Sequence, residues 1–450
     1  MTRGYCRGKK DVNMSPMSTT VSPVAEKAPA GAFTNEDWPA VWIGSAIILL
    51  VLAGVRPEVP RFGWSAAADL STTVFAPANV SRWLQLGVLL LVPAAVGARL
   101  LGARVVPFVI GFAVLYGLGW VSQVLAGYAG SSGLGLEYVI YALGIGLLLG
   151  HTTPLRRRFA EAVQAEYYIK IGLVILGASV LFSELVDAGL LGIAQALLVV
   201  LSVWTFCFWL CKRLRVDDEL ATMLSSAVSI CGVSAAIATC GAIQGDRKKL
   251  SYVTSLVLVI AVPMMIVMPW ISRAAGMPDA VAGAWLGGTL DTSAAVVAAG
   301  ELVSAQARNA AVVVKLSQNV LIGVAAFLLT VWWTMRRGGS ARGQANAAVI
   351  WERFPKFVLG FLGVSLVFSF VLAADAVRDT RALLNAVRTA WFALAFISIG
   401  LETSVMDLVK TGGGRPAYAF LGAQAFNIVV TLLLAYLLFG GLLFPAPVFN

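Results

Sequence analysis

The sequence predicts an all-α integral membrane protein, and three observations carry the prediction. Hydrophobic residues fill 59% of its 450 positions, charged residues only 12%, and the apolar residues gather in runs of membrane-spanning length. An ordinary soluble domain carries about twice that share of charge, so the solvent for most of this chain is lipid. The net charge of +10 does not indicate nucleic acid, because Lys and Arg fall in short clusters between apolar runs, as in proteins that retain positive loops in the cytoplasm.

Taken in order, residues 1–38 mix Ser, Thr, Pro, Lys and Arg without periodicity and read as a disordered basic tail. No cleavable signal peptide is expected, since the first apolar run begins only at Val41. A first membrane half, 39–220, holds runs at Val41 to Val55, Trp83 to Leu100, Pro107 to Leu125, Leu136 to Gly150, Tyr168 to Phe182 and Leu190 to Cys211. Further runs lie at Ser251 to Ile271, Asn309 to Trp333, Phe357 to Ala373, Ala386 to Leu401 and Ala417 to Phe444, the last four in a second half, 307–450. About 11 transmembrane helices are therefore expected. The central segment, 221–306, adds two unusual stretches, Ser225 to Ile243 and Ala282 to Gly300, apolar enough for the membrane yet built mostly of Ala, Gly, Ser, Thr and Cys.

Loop charge sets the topology. Basic loops at Arg99 and Arg104, Arg156 to Arg158, Lys212 to Arg215, and Arg336, Arg337 and Arg342 alternate with less basic ones, which puts the first group and the N-terminus in the cytoplasm. If each unusual stretch crossed the membrane, the cluster Arg247, Lys248 and Lys249 would lie outside. If each dips in and returns, that cluster stays inside. The charge rule favours two re-entrant hairpins from opposite faces, with broken crossing helices as the alternative.

Two internal matches point to inverted-topology repeats. Aligning Gly177 with Gly400 (400 − 177 = 223) also aligns Glu184 with Asp407, Leu185 with Leu408, Val186 with Val409 and Gly189 with Gly412. By the loop charges one copy runs outward and the other inward, the arrangement of many secondary transporters, with chance similarity of apolar helices as the alternative. The unusual stretches match as well: Ser234-Ala-Ala-Ile and Ser293-Ala-Ala-Val coincide at an offset of 59 (293 − 234).

The chemistry concentrates in those stretches. Fourteen of the nineteen residues from Ser225 to Ile243 are small, so little side-chain bulk covers the backbone and the segment must be enclosed by protein. Gly232 permits the helix to break, and freed N–H groups, with the hydroxyls of Ser229 and Ser234 and with Cys231 beside them, would bind an anion or polar group. Plain close packing of small residues is the competing reading. In the second stretch Asp291 lies halfway along an apolar run, flanked by Thr289, Thr292 and Ser293. An unpaired carboxylate there costs about 2.5 to 3.5 kcal/mol, so Asp291 should face an aqueous cavity or a partner, unless it belongs to a structural ion pair. Lys315 is the most economical counter-charge, and it shares one helical face with Gln318 and Asn319. Lys170 and Glu402 near span ends read as snorkelling groups, and His151, the single histidine, as interfacial. Cys6, Cys207, Cys211, Cys231 and Cys240 form no zinc pattern. Without a nucleophile motif, phosphate loop or metal constellation, no enzyme, cofactor or metal site is expected.

Several of these stretches resemble the YeiH-type family of bacterial membrane proteins, a family associated by inference with sulfate export. They are Tyr168 to Gly189, the Ser229-Ile-Cys-Gly-Val-Ser-Ala segment, Gly287 to Gly300, and Ala395 to Lys410, spanning most of the chain from Glu166 to Tyr418. The resemblance implies a multi-spanning plasma-membrane protein grouped with inverted-repeat secondary transporters. Where better-known members commonly carry His-Glu in the second segment, this chain has Asp291-Thr292. Where they have an Arg in the following span, it has Ser317-Gln318-Asn319, which sets it apart as a distinct branch.

The expected function is secondary active transport of a small polar solute, an anion of the sulfate or sulfonate class, coupled to protons or sodium. A channel, or a non-transporting receptor or scaffold, is the alternative. Expected partners are the solute, the coupling ion, the lipid of the bacterial inner membrane and, as an option, a second copy in a homodimer; nucleic acid is not among them.

Overall fold

The computed structural model describes residues 36–450 except 134–136, 181, 337–350, 353, 404–413, 448 and 450. The expected tail up to residue 35 therefore lies outside the described residues, and the first helix starts at Asp37, two residues before the expected start of the first half. Each of the eleven apolar runs forms a helix, because a chain in lipid has to satisfy its backbone internally. These are α1 (Asp37–Leu52), α2 (Pro77–Leu100), α3 (Val105–Ala126), α4 (Tyr138–Thr152), α5 (Ala165–Leu176) and α6 (Phe182–Arg213). The unusual stretches each form two half-helices, α7 (Asp218–Ser226) with α8 (Gly232–Ile243), and α10 (Asp279–Thr289) with α11 (Ser293–Val303), on either side of α9 (Arg247–Ala274). There follow α12 (Ala305–Arg336), α13 (Lys356–Leu366), α14 (Ala374–Glu402) and α15 (Arg415–Phe439).

Among the described residues, eight helices are long and apolar enough to cross a membrane. Seven coincide with expected runs; the eighth joins α7 and α8 over Asp218–Ile243, which qualifies by length and composition. Leu84, Val88, Val92, Val96 and Leu100 of α2, one residue per helical turn, are all exposed. Such a stripe belongs against lipid tails rather than water.

The helices form two packed groups that do not follow the order of the chain. In the first, α1 to α5 pack with α13 and α14. A Cβ on Gly146 of α4 would lie 2.4 Å from the carbonyl oxygen of Ile397, and one on Gly400 of α14 would lie 2.6 Å from that of Leu143, so these two backbones touch. Trp391 of α14 fills the centre, its ring 5.7 Å from Tyr168 and 6.2 Å from Phe112. Lys170 of α5 sets its ammonium 2.9 Å from Asp37 Oδ1 and 3.4 Å from Glu36 Oε2, which ties α5 to the start of α1. His151 is exposed, as expected, with Nδ1 2.7 Å from the Leu147 carbonyl oxygen. In the second group, α6, α9, α12 and α15 enclose the four half-helices; Phe206 of α6 stacks on Phe426 of α15 at 4.1 Å. The chain passes between the groups three times, between α5 and α6, between α12 and α13, and between α14 and α15.

Because the α4 and α14 backbones meet at Gly400, a methyl group there has no side chain to displace. Gly400→Ala should cost about 1 to 3 kcal/mol, read as a lower Tm of the purified protein.

Candidate functional site

Ion pairs at the bases show how the half-helices run. Asp217 Oδ1 and Glu219 Oε2, where α7 begins, lie 2.7 and 3.2 Å from Lys249 Nζ, where α9 begins. The chain therefore enters along α7 and returns along α8 to the end it left. In the second pair, Arg273 Nη1 at the end of α9 donates to the Leu302 carbonyl at the end of α11, at 3.2 Å, so this stretch also turns back. Since α9 runs from the base of one hairpin to the base of the other, the two hairpins open toward opposite ends of the bundle. Small residues permit this: Cβ atoms on Gly283 and Gly287 of α10 would lie 2.3 and 2.4 Å from the carbonyl oxygens of Ala307 and Ala311 on α12.

The tips meet. Gly232, at φ +43°, supplies the break between α7 and α8, and a Cβ there would lie 3.1 Å from Asp291 O and 3.2 Å from Asp291 Cβ. The break in the other hairpin falls at 290–292, between α10 and α11. Lys315 lies ten residues into α12 (315 − 305), about 15 Å along the helix and about half the thickness of a hydrocarbon core.

A helix that stops in lipid leaves its last carbonyls unpaired, and side chains of α12 and α15 satisfy them here. Lys315 Nζ donates to Ile230 O and Leu290 O, both at 2.7 Å, and to Gln318 Oε1 at 3.0 Å. Gln318 Nε2 donates to Ser229 O at 3.3 Å and Gly288 O at 3.1 Å. Gln424 Nε2 reaches Thr289 O at 3.0 Å, and Asn427 Nδ2 reaches Val228 O at 3.2 Å and Thr289 O at 3.3 Å. One ammonium and three amides thus bind the end of α10 to the π-helical turn Ala227–Cys231 that continues α7, and the positive charge of Lys315 sits where both helix dipoles are negative.

This arrangement corrects several expectations. Lys315 makes no direct contact with Asp291: its three donors are taken by the two carbonyls and Gln318, and Asp291 remains a nearby charge rather than a hydrogen-bonded partner. Neither Asp291 oxygen has a hydrogen-bond partner, although the residue is only 2% exposed. Ser229 does not offer its hydroxyl proton to a ligand, because it donates to Ser225 O at 2.7 Å. Ser234 is exposed rather than part of the cluster, since the 100° turn per residue along α8 puts Ala235 and Ala236 on the buried side instead. Cys231, Gly232, Thr289, Asp291, Thr292, Ser293, Lys315, Gln318 and Asn319 are all buried around the tips. Asn319 Nδ2 donates to Ser293 Oγ at 3.1 Å, and Thr292 Oγ1 caps α11 by accepting from Ala295 N at 3.1 Å. Thr289 Oγ1 and Asn319 Oδ1, like the Asp291 oxygens, are buried without a partner. Gln195 of α6, whose Nε2 donates to Ala284 O of α10 at 2.7 Å, Gln424 and Asn427 were missed from the sequence. The spacing of Gln424, Asn427 and Thr431, one polar face on an otherwise apolar helix, is the signal that reveals the last two.

Opposed half-helix hairpins, capped tip to tip deep in an apolar bundle, define an α-helical integral membrane protein whose polar centre is withdrawn from both ends. Comparison with known sequences places it further. Residues 110–419 match the family described as conserved hypothetical protein 698, and the chain belongs to that family. It is 38% identical over 368 residues to a UPF0324 membrane protein of Rhodopirellula baltica, covering 79% of this chain and 67% of that one. It is 37% identical over 358 residues to a UPF0324 membrane protein of Nitratidesulfovibrio vulgaris, covering 77% and 62%, so it spans less than two thirds of that relative. The UPF0324 inner membrane protein YeiH of Salmonella typhi is 26% identical over 325 residues, 68% of this chain and 89% of that one, in keeping with the resemblance read from the residues. No solved structure matches the chain.

Proposed function

We propose that the protein is a secondary active transporter of a small polar anion of the sulfate or sulfonate class, coupled to protons or sodium. The observation that carries this reading is the Asp291 carboxylate, buried at the contact of two opposed hairpin tips with both oxygens unpartnered. A bare carboxylate at that depth is costly, and a proton or a monovalent cation relieves the cost. That is what a coupling site requires. Cys231 and Gly232 line one side of the centre, with the Ser229 main chain; Thr289, Asp291, Thr292 and Ser293 line the other, and Gln318 and Asn319 close it.

Inverted symmetry supports alternating access. At the offset of 59 that aligns the two stretches, Gly232 falls on Asp291, and these two positions touch. At the same offset Ser229 falls on Gly288, and the amide of Gln318 binds both carbonyls. Equivalent positions meet in this way on a twofold axis in the membrane plane. In the longer match, Gly177 and Gly400 both mark close backbone contacts, whereas Asp407, Leu408, Val409 and Gly412 lie outside the described residues. Movement of the hairpin-bearing group against the other would carry the centre from one face to the other. The burial of the centre favours this over an open channel. With eleven crossings and two re-entrant hairpins, the loop charges put the N-terminus in the cytoplasm and the base of the first hairpin on the cytoplasmic face. The name of the Salmonella relative supports placement in the inner membrane.

The test is uptake of labelled sulfate into proteoliposomes under an imposed proton or sodium gradient, with and without unlabelled sulfate inside. Saturable uptake that is stimulated by internal sulfate supports the reading. Uptake indifferent to internal sulfate makes it a channel, and no flux across a panel of oxyanions sinks it.

A further inference from the structure

A second polar cavity lies away from the hairpin tips, at the boundary of the two helix groups. Its volume is about 240 Å³, and Ser179, Arg308, Asn309, Arg381, Asn385 and Arg388 contribute to its lining. The residues come from both groups: Ser179 follows α5, Arg381, Asn385 and Arg388 follow one face of α14 at spacings of four and three, and Arg308 and Asn309 open α12. Enclosed charged side chains are costly when unpaired, and two of these are almost wholly enclosed, Arg308 at 4% exposure and Arg388 at 8%.

The hydrogen bonds leave a deficit of acceptors. Arg388 Nη1 donates to Asn385 Oδ1 at 3.1 Å, but its Nε has no partner and is buried. Asn385 Oδ1 also accepts from Ser179 Oγ at 3.1 Å. Arg308 donates to Asn309 Oδ1 from Nε and Nη2, at 3.2 and 2.9 Å, and its Nη1 lies 3.0 Å from Glu301 Oε1. Three guanidiniums therefore face the cavity, one carboxylate, outside the lining, offsets one of them, and two positive charges remain. The first turn of α12, with its positive dipole end, faces the same space.

We infer that this cavity is a binding site for a dianionic tetrahedral oxyanion of the sulfate type. Guanidinium forks match such an anion in geometry and charge. Both asparagine oxygens at the cavity already accept two hydrogen bonds each, which leaves the lining dominated by guanidinium donors. The site also deepens the transport reading, on which its role in a pathway rests. Arg308 and Lys315 are seven residues apart on one face of α12 (315 − 308), about 10 Å along the helix, so a bound anion stands roughly two turns from the tips. It is then a loading site on the side where the second hairpin has its base.

The experiment is calorimetric titration of the full chain in zwitterionic nanodiscs with sodium sulfate, against sodium phosphate and sodium chloride at matched ionic strength. Wild type should bind sulfate saturably and at least tenfold more tightly than chloride, with phosphate, another tetrahedral oxyanion, also bound more tightly than chloride. Arg388→Gln should weaken sulfate at least tenfold, Arg388→Lys less, and Arg104→Gln, an exposed charge remote from the cavity, should leave it unchanged. Should Arg388→Gln fail to fold, Arg381→Gln, at an exposed position, carries the same expectation. Sulfate binding no tighter than chloride, or wild-type affinity in the folded arginine variants, overturns the assignment. Sulfate binding as described in a protein that transports nothing leaves the site standing and removes the transporter. Transport that depends on Asp291 but is indifferent to the arginines does the reverse.

Discussion

Vesicles containing Asp291→Asn should accumulate labelled sulfate no better than protein-free vesicles, while the protein inserts and purifies in normal yield. Asparagine keeps the shape of the side chain and removes the charge that a proton or cation would have to balance. The change should not weaken the fold. Neither carboxylate oxygen makes a hydrogen bond that would be lost, so the change in Tm should be small beside that of a variant that strips the tip carbonyls of their donors. Loss of transport with retained stability is the combination that distinguishes a coupling group from a structural one. Full gradient-driven uptake by the variant would take Asp291 out of the mechanism.

Lys315→Met should do the opposite and compromise the fold. Methionine fills nearly the same volume but offers no donor, so Ile230 O, Leu290 O and Gln318 Oε1 lose their partner at once. Each stranded group costs about 1 to 3 kcal/mol in a place where water cannot replace the donor. The joint loss should reach about 3 to 5 kcal/mol, seen as poor yield and a Tm lowered by many degrees. Adding Asp291→Asn tells a tip clamp from an ion pair. An ion-pair partner would be rescued by removing the opposing charge, whereas a clamp on carbonyls gains less than about 1 kcal/mol from it.

Much of this architecture is legible in the residues because lipid imposes one requirement everywhere. Every spanning segment must be apolar and must satisfy its own backbone, so each of the eleven runs forms a helix, seven of them long and apolar enough to cross a membrane. The two small-residue stretches stand out for a related reason: helices that stop and turn inside protein need close backbone approach, and Gly232, Gly283 and Gly287 provide it. Lys315, Gln318 and Asn319 were recognisable as one polar face. What they bind was not, because that depends on which carbonyls the turns leave bare. Pairing Lys315 with Asp291 by charge alone overlooked the competing oxygens of Ile230 and Leu290. Ser234 looked like a ligand from its composition, but the phase of α8 after the break turns it away. Arg308 and Arg388 sit on helices that are distant in sequence and belong to different packed groups, so no local pattern announces that they share a cavity. The grouping itself was equally hidden: α13 and α14 pack with α1 to α5, across the division into halves that chain order suggests.

Side-specific labelling of single cysteines tests the opposed hairpins most directly. In a cysteine-free background, Asp217→Cys and Gly245→Cys flank the first hairpin, while Met277→Cys and Ser304→Cys flank the second. A membrane-impermeant maleimide applied to intact cells and then to inverted vesicles should label the first pair from one side only and the second pair only from the other. If the two members of either pair react from opposite sides, that stretch crosses the membrane, and the meeting of two re-entrant tips at Asp291 is wrong.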